Sequence, residues 1–281
     1  MKEINTTDKQ DMVLSFLYGH RLTRLMLKPL VSPVISRLGG MILDSKPSCV
    51  AIRPFIKKNN INMDEFEPVL YTSYNDFFKR KIKAGTRPYS SDEKALISPC
   101  DSRLSVYKIN GNAHFVIKNT PYTVKALLKS KKLANKYEGG YIWVFRLCVD
   151  DYHRYIYPVS GMKTKNRRIA GVFHTVNPVA NDYFPIYKEN TREYCIIRNQ
   201  ALGDVIMMEV GAMLVGKIEN IHHHARQVSR GMEKGNFAFG GSTIILITKK
   251  DTVKPNANII MNSLKNVETR VLQGETVGYS N

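Results

Sequence analysis

The residues Glu233-Lys234-Gly235-Asn236-Phe237-Ala238-Phe239-Gly240-Gly241-Ser242-Thr243 run straight into the apolar segment Ile244-Ile245-Leu246-Ile247. Gly241 has no Cβ, so the backbone can bend there and bring the Ser242 hydroxyl towards the carbonyl just before it. A hydroxyl so placed can attack that carbonyl and turn the peptide into an ester by an N-to-O shift. β-Elimination then leaves dehydroalanine, whose hydrolysis gives a pyruvoyl group at a new N-terminus. Gly-Gly-Ser-Thr by itself is also the mark of a tight turn entering a core strand, so the surrounding residues must decide.

Further stretches accompany it in a fixed order: Tyr74-Asn75-Asp76-Phe77-Phe78-Lys79-Arg80-Lys81, Ser98-Pro99-Cys100-Asp101-Ser102-Arg103, Asp151-Tyr152-His153-Arg154, Val176-Asn177-Pro178, Asn190-x-Arg192-Glu193-Tyr194 and Met208-Glu209-Val210-Gly211-Ala212. Each is weak alone. As an ordered set ending in Glu-x-Gly-x-Phe-x-x-Gly-Gly-Ser-Thr, the chain resembles the phosphatidylserine decarboxylases, pyruvoyl-dependent enzymes that make phosphatidylethanolamine. The resemblance runs from about Phe16 onward.

The resemblance implies self-cleavage between Gly241 and Ser242, giving a β chain of residues 1–241 and an α chain of 281 − 241 = 40 residues. The cofactor it implies is pyruvate, as a pyruvoyl group made from Ser242. That ketone condenses with the amine of phosphatidylserine as a Schiff base, which accepts the electron pair left when CO2 departs. The two chains would stay together as a heterodimer, and whether that dimerises further is open. Asp101 is carried onto the family's processing aspartate, although its setting also suits an Asx turn. His153 matches the histidine linked to decarboxylation; an imidazole with a pKa near working pH can protonate the carbanion. The chain departs from the family three residues later, where many members carry a second histidine as processing base and this one has Ile156. Either His153 serves both steps, or His174 supplies the base from a neighbouring strand; His174 also reads as a core histidine. Arg154 and Arg192 are candidates for the substrate phosphate, since guanidinium grips phosphate oxygens bidentately. A second reading, motivated by Ile156, is a processing-deficient homologue that only binds anionic lipid.

The elements that must position these residues fall into two parts. With 281 residues, 43% hydrophobic and 10% aromatic, the chain has the material for a sizeable core. From Asp11 to about Leu43 the pattern is helical, with Leu14, Leu17, Tyr18, Leu22 and Leu25 on one stripe and Pro29 and Pro33 dividing it. A second helical region lies within 44–90 and ends in Tyr74–Lys83, where cations alternate with Phe77, Phe78 and Ile82. After Pro88 come short β-like runs: 104–109, 115–117, 141–149, 169–176, 194–198, 205–210 and 243–247, with one helix over Pro121–Lys132. The expectation is an α+β protein: a helical, basic, membrane-docking portion over 1–90 and a β-rich catalytic domain over 91–281.

The formal charge of +18 calls for an anionic partner, nucleic acid or membrane. No zinc finger, RNP signature or helix-turn-helix supports nucleic acid. An anionic membrane surface fits better, bound peripherally from the cytoplasmic side, because no run reaches the roughly 18 apolar residues of a span and the N-terminus lacks a signal-peptide core. Cys49, Cys100, Cys148 and Cys195 form no Cys-x-x-Cys pair. His222-His223-His224 cannot all face one ion from a strand, so no metal site is expected.

Overall fold

The computed structural model describes residues 16–17, 33–117, 120–175, 185–212, 217–238 and 242–281. The stripe Leu14 to Leu25, apart from Leu17, lies outside the described residues, as do Val176-Asn177-Pro178 and Gly241. The helices are α1 (Pro33–Leu43), α2 (Ile52–Asn59), α3 (Tyr74–Phe78), α4 (Val124–Leu128), α5 (Lys131–Ala134), α6 (Ile186–Glu189) and α7 (Ala257–Leu264). The strands, in chain order, are β1 (Ala95–Ile97), β2 (Ser102–Lys108), β3 (His114–Ile117), β4 (Thr120–Thr123), β5 (Tyr141–Leu147), β6 (Arg154–Ile156), β7 (Gly161–Lys163), β8 (Arg167–Ile169) and β9 (Arg192–Asn199). They continue as β10 (Gly203–Val210), β11 (Ile218–Asn220), β12 (Arg226–Val228), β13 (Glu233–Phe237), β14 (Ser242–Thr248), β15 (Val253–Pro255), β16 (Thr269–Val271) and β17 (Thr276–Ser280).

One antiparallel sheet organises the molecule, in the order β12-β7-β9-β10-β14-β5-β2-β16, with β8 also pairing β9. A strand buried on both faces needs apolar side chains at every position, and Ile244-Ile245-Leu246-Ile247 meets that need. Ile245 and Ile247 enter one core with Phe115, Tyr122 and Leu127, while Ile244 and Leu246 enter the other with Trp143, Phe145 and Tyr155. The neighbours β5 and β10 divide their residues in the same way: Ile142, Val144, Ile206 and Met208 face the first core, Trp143, Phe145, Val205 and Met207 the second. Each such side chain contributes about 1.5–3 kcal/mol when fully removed from water. Smaller sheets β1-β17-β15 and β11-β13-β6 complete the β-rich half.

Three local expectations need correction. The helix expected to run to Lys83 stops at Phe78: Ser73 caps it, its hydroxyl accepting from the Asp76 amide at 3.1 Å, and Ile82 then pairs with Phe66 as an extended bridge. Pro121–Lys132 is not one helix. Pro121 lies in β4, the Thr123 hydroxyl caps α4, Lys129 turns left-handed at φ 51°, and the Ser130 hydroxyl caps α5. Of the run expected over 169–176, the strand present is Arg167–Ile169, joined by an isolated bridge between Val172 and Asn190. The C-terminal α7 and the strands β15 to β17 were not foreseen.

Candidate active site

Ser242 opens β14 at the centre of the sheet, paired with Leu147 of β5, while its neighbour Thr243 pairs with Val210 of β10. Strand alternation sends its side chain to the same face as Ile244 and Leu246, and the residue is wholly buried. Where β5 ends opposite Ser242, the chain turns through Cys148 to Tyr152 before β6, and this turn carries His153.

His153 is fixed from several sides. Its carbonyl accepts from the Phe237 amide at 3.0 Å, and its ring lies 4.1 Å from that of Phe78, centroid to centroid. Nε2 sits 2.9 Å from the Cys148 carbonyl oxygen. A carbonyl can only accept, so Nε2 carries the proton and Nδ1 presents its lone pair. That lone pair faces Ser242 Oγ at 3.4 Å. Burial pushes the imidazole down to about pKa 3. The expectation of a pKa near working pH therefore needs correction: His153 is neutral and set to receive a proton.

The turn itself is braced by Asp151. Its carboxylate accepts from the Cys148 amide at 2.7 Å and faces Arg103 at 3.5 Å, and its own amide donates to the Cys148 carbonyl at 3.0 Å. The peptide that orients the imidazole is thus held by a side chain two residues before it. Burial raises the Asp151 carboxyl to about pKa 7.

The other expected residues lie around this centre in different ways. Asp101 is gripped by Arg87 through Nε at 3.2 Å and Nη2 at 2.9 Å, and accepts from the Gln273 amide at 2.7 Å. Among the described residues no hydrogen bond joins it to His153 or Ser242. Ile156 is buried, its amide donating to Pro99 O at 3.0 Å. The His174 backbone exchanges two 2.8 Å hydrogen bonds with the Asn190 side chain, and its Nε2 lies 3.4 Å from Glu189 Oε2. Among the described residues, the imidazole within reach of Ser242 Oγ is that of His153.

Both arginines expected at the substrate phosphate also hold other parts of the chain. Arg192 is buried and donates to the carbonyls of Leu127, Asn190 and Ala126 at 2.8 to 3.0 Å. Arg154 donates to Lys79 O and pairs with Glu233. These contacts tie the chain together.

A second buried group supports the strand leading to Ser242. Lys234 Nζ of β13 lies 2.7 Å from Glu209 Oε2 and 2.7 Å from Asn220 Oδ1, and both partners of the ion pair are fully buried. Next to it Gly235 lies so close to β11 that a Cβ would meet Glu219 O at 2.3 Å, so no larger residue fits there. Sequence reasoning passed over Asp151, Lys234 and Arg80. All three sit inside quoted motifs, yet nothing in a sequence says that a Lys and a Glu 25 positions apart share one buried contact.

The profile of the phosphatidylserine decarboxylase family matches residues 74–279, a span that includes every element of this centre. Phosphatidylserine decarboxylase proenzyme 2 of Clostridium acetobutylicum is 42% identical over 269 residues, covering 95% of this chain and 92% of its own length. The phosphatidylserine decarboxylase proenzymes of Ruminiclostridium cellulolyticum and Clostridium tetani are 41% and 37% identical, each over 95% of this chain and at least 90% of their own length.

Proposed function

The chain belongs to the phosphatidylserine decarboxylase family, a family of carboxy-lyases, and on that premise we propose that it is a self-processing enzyme whose reactive group is made from Ser242. The observation that carries this reading is the Ser242 Oγ to His153 Nδ1 approach of 3.4 Å between two fully buried residues. A serine with a neutral imidazole aimed at its hydroxyl, as the first residue of a rigid strand, fits the precursor of a pyruvoyl group.

In this reading Nδ1 takes the hydroxyl proton as Oγ attacks the Gly241 carbonyl, and gives it to the departing Ser242 nitrogen as the C–N bond breaks. The Cys148 carbonyl holds the tautomer this needs. Elimination across Cα–Cβ then cuts the ester, and water releases the nitrogen as ammonia. The pyruvoyl ketone that results supplies an electrophile for the substrate amine and a sink for the electrons that CO2 leaves behind. His153 stays beside that centre, placed to pass a proton to the carbon after CO2 has gone. Since His153 meets Ser242 directly, Ile156 does not deprive the serine of a base, which weighs against a processing-deficient homologue.

Membrane docking belongs to the same proposal. Leu38, Met41 and Ile42 of α1 are exposed, as are Val50 and Leu70, the last 97% exposed. The turn after α1 and the segment before α3 are linked by Ser48 Oγ accepting from the Tyr74 amide at 2.8 Å, and α2, which lies between them in the chain, carries Lys57 and Lys58 in its last turn. Exposed apolar tips on a strongly basic chain suit the interface of an anionic membrane. No described helix is long and apolar enough to cross one.

The test is the intact mass of the purified protein. Two pieces, of 241 and 40 residues, are expected, the smaller bearing a carbonyl at its start, with CO2 released from phosphatidylserine. A Ser242→Ala variant should remain one chain of 32.0 kDa. Wild-type protein that stays whole and releases no CO2 would remove the reading.

A further inference from the structure

Arg80 belongs to the cation run of Tyr74–Lys83, yet it is buried, only 2% exposed. Its guanidinium lies between two rings, 4.5 Å from the centroid of Phe66 and 4.9 Å from that of Phe77. Two rings thus pack against the guanidinium, and its N–H groups are left to find partners. Nε and Nη1 are buried and have no hydrogen-bond partner. A buried cation with idle donors is costly, and such a group is retained where something anionic completes it.

Arg80 lines a cavity of about 520 Å3 together with Phe66, Arg87, Asp101, Asp151 and Tyr152. That volume suits a lipid headgroup. Of its five acids, Asp101 and Glu65 pair with Arg87, Asp151 faces Arg103 and the Cys148 amide, and Glu275 accepts from the Leu272 amide; Asp150 also lines it. Arg80 and Arg270 are the lining cations that no described acid pairs. Two lining residues, Asp151 and Tyr152, immediately precede His153 in the chain, and Phe78, two residues before Arg80, stacks on the His153 ring; His153 and Ser242 themselves do not line the cavity.

We propose that Arg80 recognises the phosphodiester of the substrate headgroup, entering by this cavity so that the serine beyond the phosphate reaches Ser242. The inference rests on the phosphatidylserine reading. A guanidinium edge matches two phosphate oxygens. The carboxylate is the poorer partner on energetic grounds, because a cation bound to the group about to leave as CO2 would stabilise the ground state over the transition state.

The product lacks the carboxylate and keeps the phosphate, which makes the test direct. Calorimetric affinities for dihexanoyl phosphatidylethanolamine and inorganic phosphate, and KM for dihexanoyl phosphatidylserine, are compared in wild type, Arg80→Gln and Arg80→Lys, with Ser242 cleavage checked by mass. Arg80→Gln should weaken product binding and raise the substrate KM together, each at least about tenfold. Arg80→Lys keeps the charge and the stem between the rings, and should lose less. Inorganic phosphate should bind wild type far more weakly than the lipid. The inference is overturned if both lipids are unaffected in either cleaved variant, if only the serine lipid is weakened, or if inorganic phosphate binds as well as lipid. Wild type that binds neither lipid would instead sink the substrate reading itself.

Discussion

The burial of His153 makes a quantitative claim about how self-cleavage responds to acid. An ordinary imidazole has a pKa near 6.5, and this one is pushed down to about 3. At pH 5 an ordinary histidine would be roughly 97% protonated, and cleavage dependent on its free base would run about thirtyfold slower than at pH 8. With a pKa of about 3, roughly 1% is protonated at pH 5. The cleavage rate should therefore be nearly flat from pH 8 to pH 5. The same depression carries a stability signature. The folded pKa lies below the unfolded one, so the stabilisation is complete above about pH 6.5 and is lost as pH falls towards 3, by at most roughly 5 kcal/mol. His153→Gln should remove that acid sensitivity and slow cleavage by about 10²–10⁴-fold, the usual worth of a general base. The assay is cell-free synthesis of the intact chain, a jump into buffers from pH 5 to 8, and densitometry of the pieces on denaturing gels. A thirtyfold fall in the wild-type rate across that range would refute the burial argument, and His153→Gln cleaving at the wild-type rate would refute the assignment of the base.

Other perturbations have equally definite signs. Asp151, raised from 3.8 to about pKa 7, contributes stability that is complete below about pH 4 and is lost as pH rises through 7. Asp151→Asn should flatten that part of the melting-temperature profile, whereas Asp151→Ala, which frees the Cys148 amide, should slow cleavage more than tenfold. Lys234→Met strands the Glu209 carboxylate in the core and should cost roughly 3–5 kcal/mol in chemical denaturation; adding Glu209→Leu should recover most of it, and no recovery would mean the ion pair is not the cause. Leu70→Asp should loosen the protein from anionic vesicles about tenfold or more in flotation while leaving cleavage unchanged. Equal flotation would remove that tip from the docking surface.

The sequence announced the central strand plainly, because Ile244-Ile245-Leu246-Ile247 admits few surroundings other than a doubly buried strand, and the motif ahead of it pointed at Ser242. His153 was legible from Asp-Tyr-His-Arg, and its approach to Ser242 follows from β5 ending opposite β14. What stayed hidden depends on distant contacts. Arg80 stands in a run of cations that reads as a solvated face, and only Phe66 and Phe77 closing on it reverse that reading. Arg192 looked like a phosphate ligand, yet three carbonyls of α4 and its surroundings consume its donors. The helix over Pro121–Lys132 failed for a local reason, a left-handed Lys129 between two caps, which composition does not reveal.

Ser242 begins a strand clasped between β5 and β10, and the residues after it return to pair with the older part of the chain at β2 and β1. If the bond ahead of Ser242 is cut, the released forty-residue tail is interlocked with the remainder, and no interface has to form afterwards. The fragments should elute as one species in native chromatography and part only in denaturant. The same weave sets an order of events: the nucleophile meets its base only after the sheet has closed, so scission should follow folding and cease in urea at the point where the chain itself unravels.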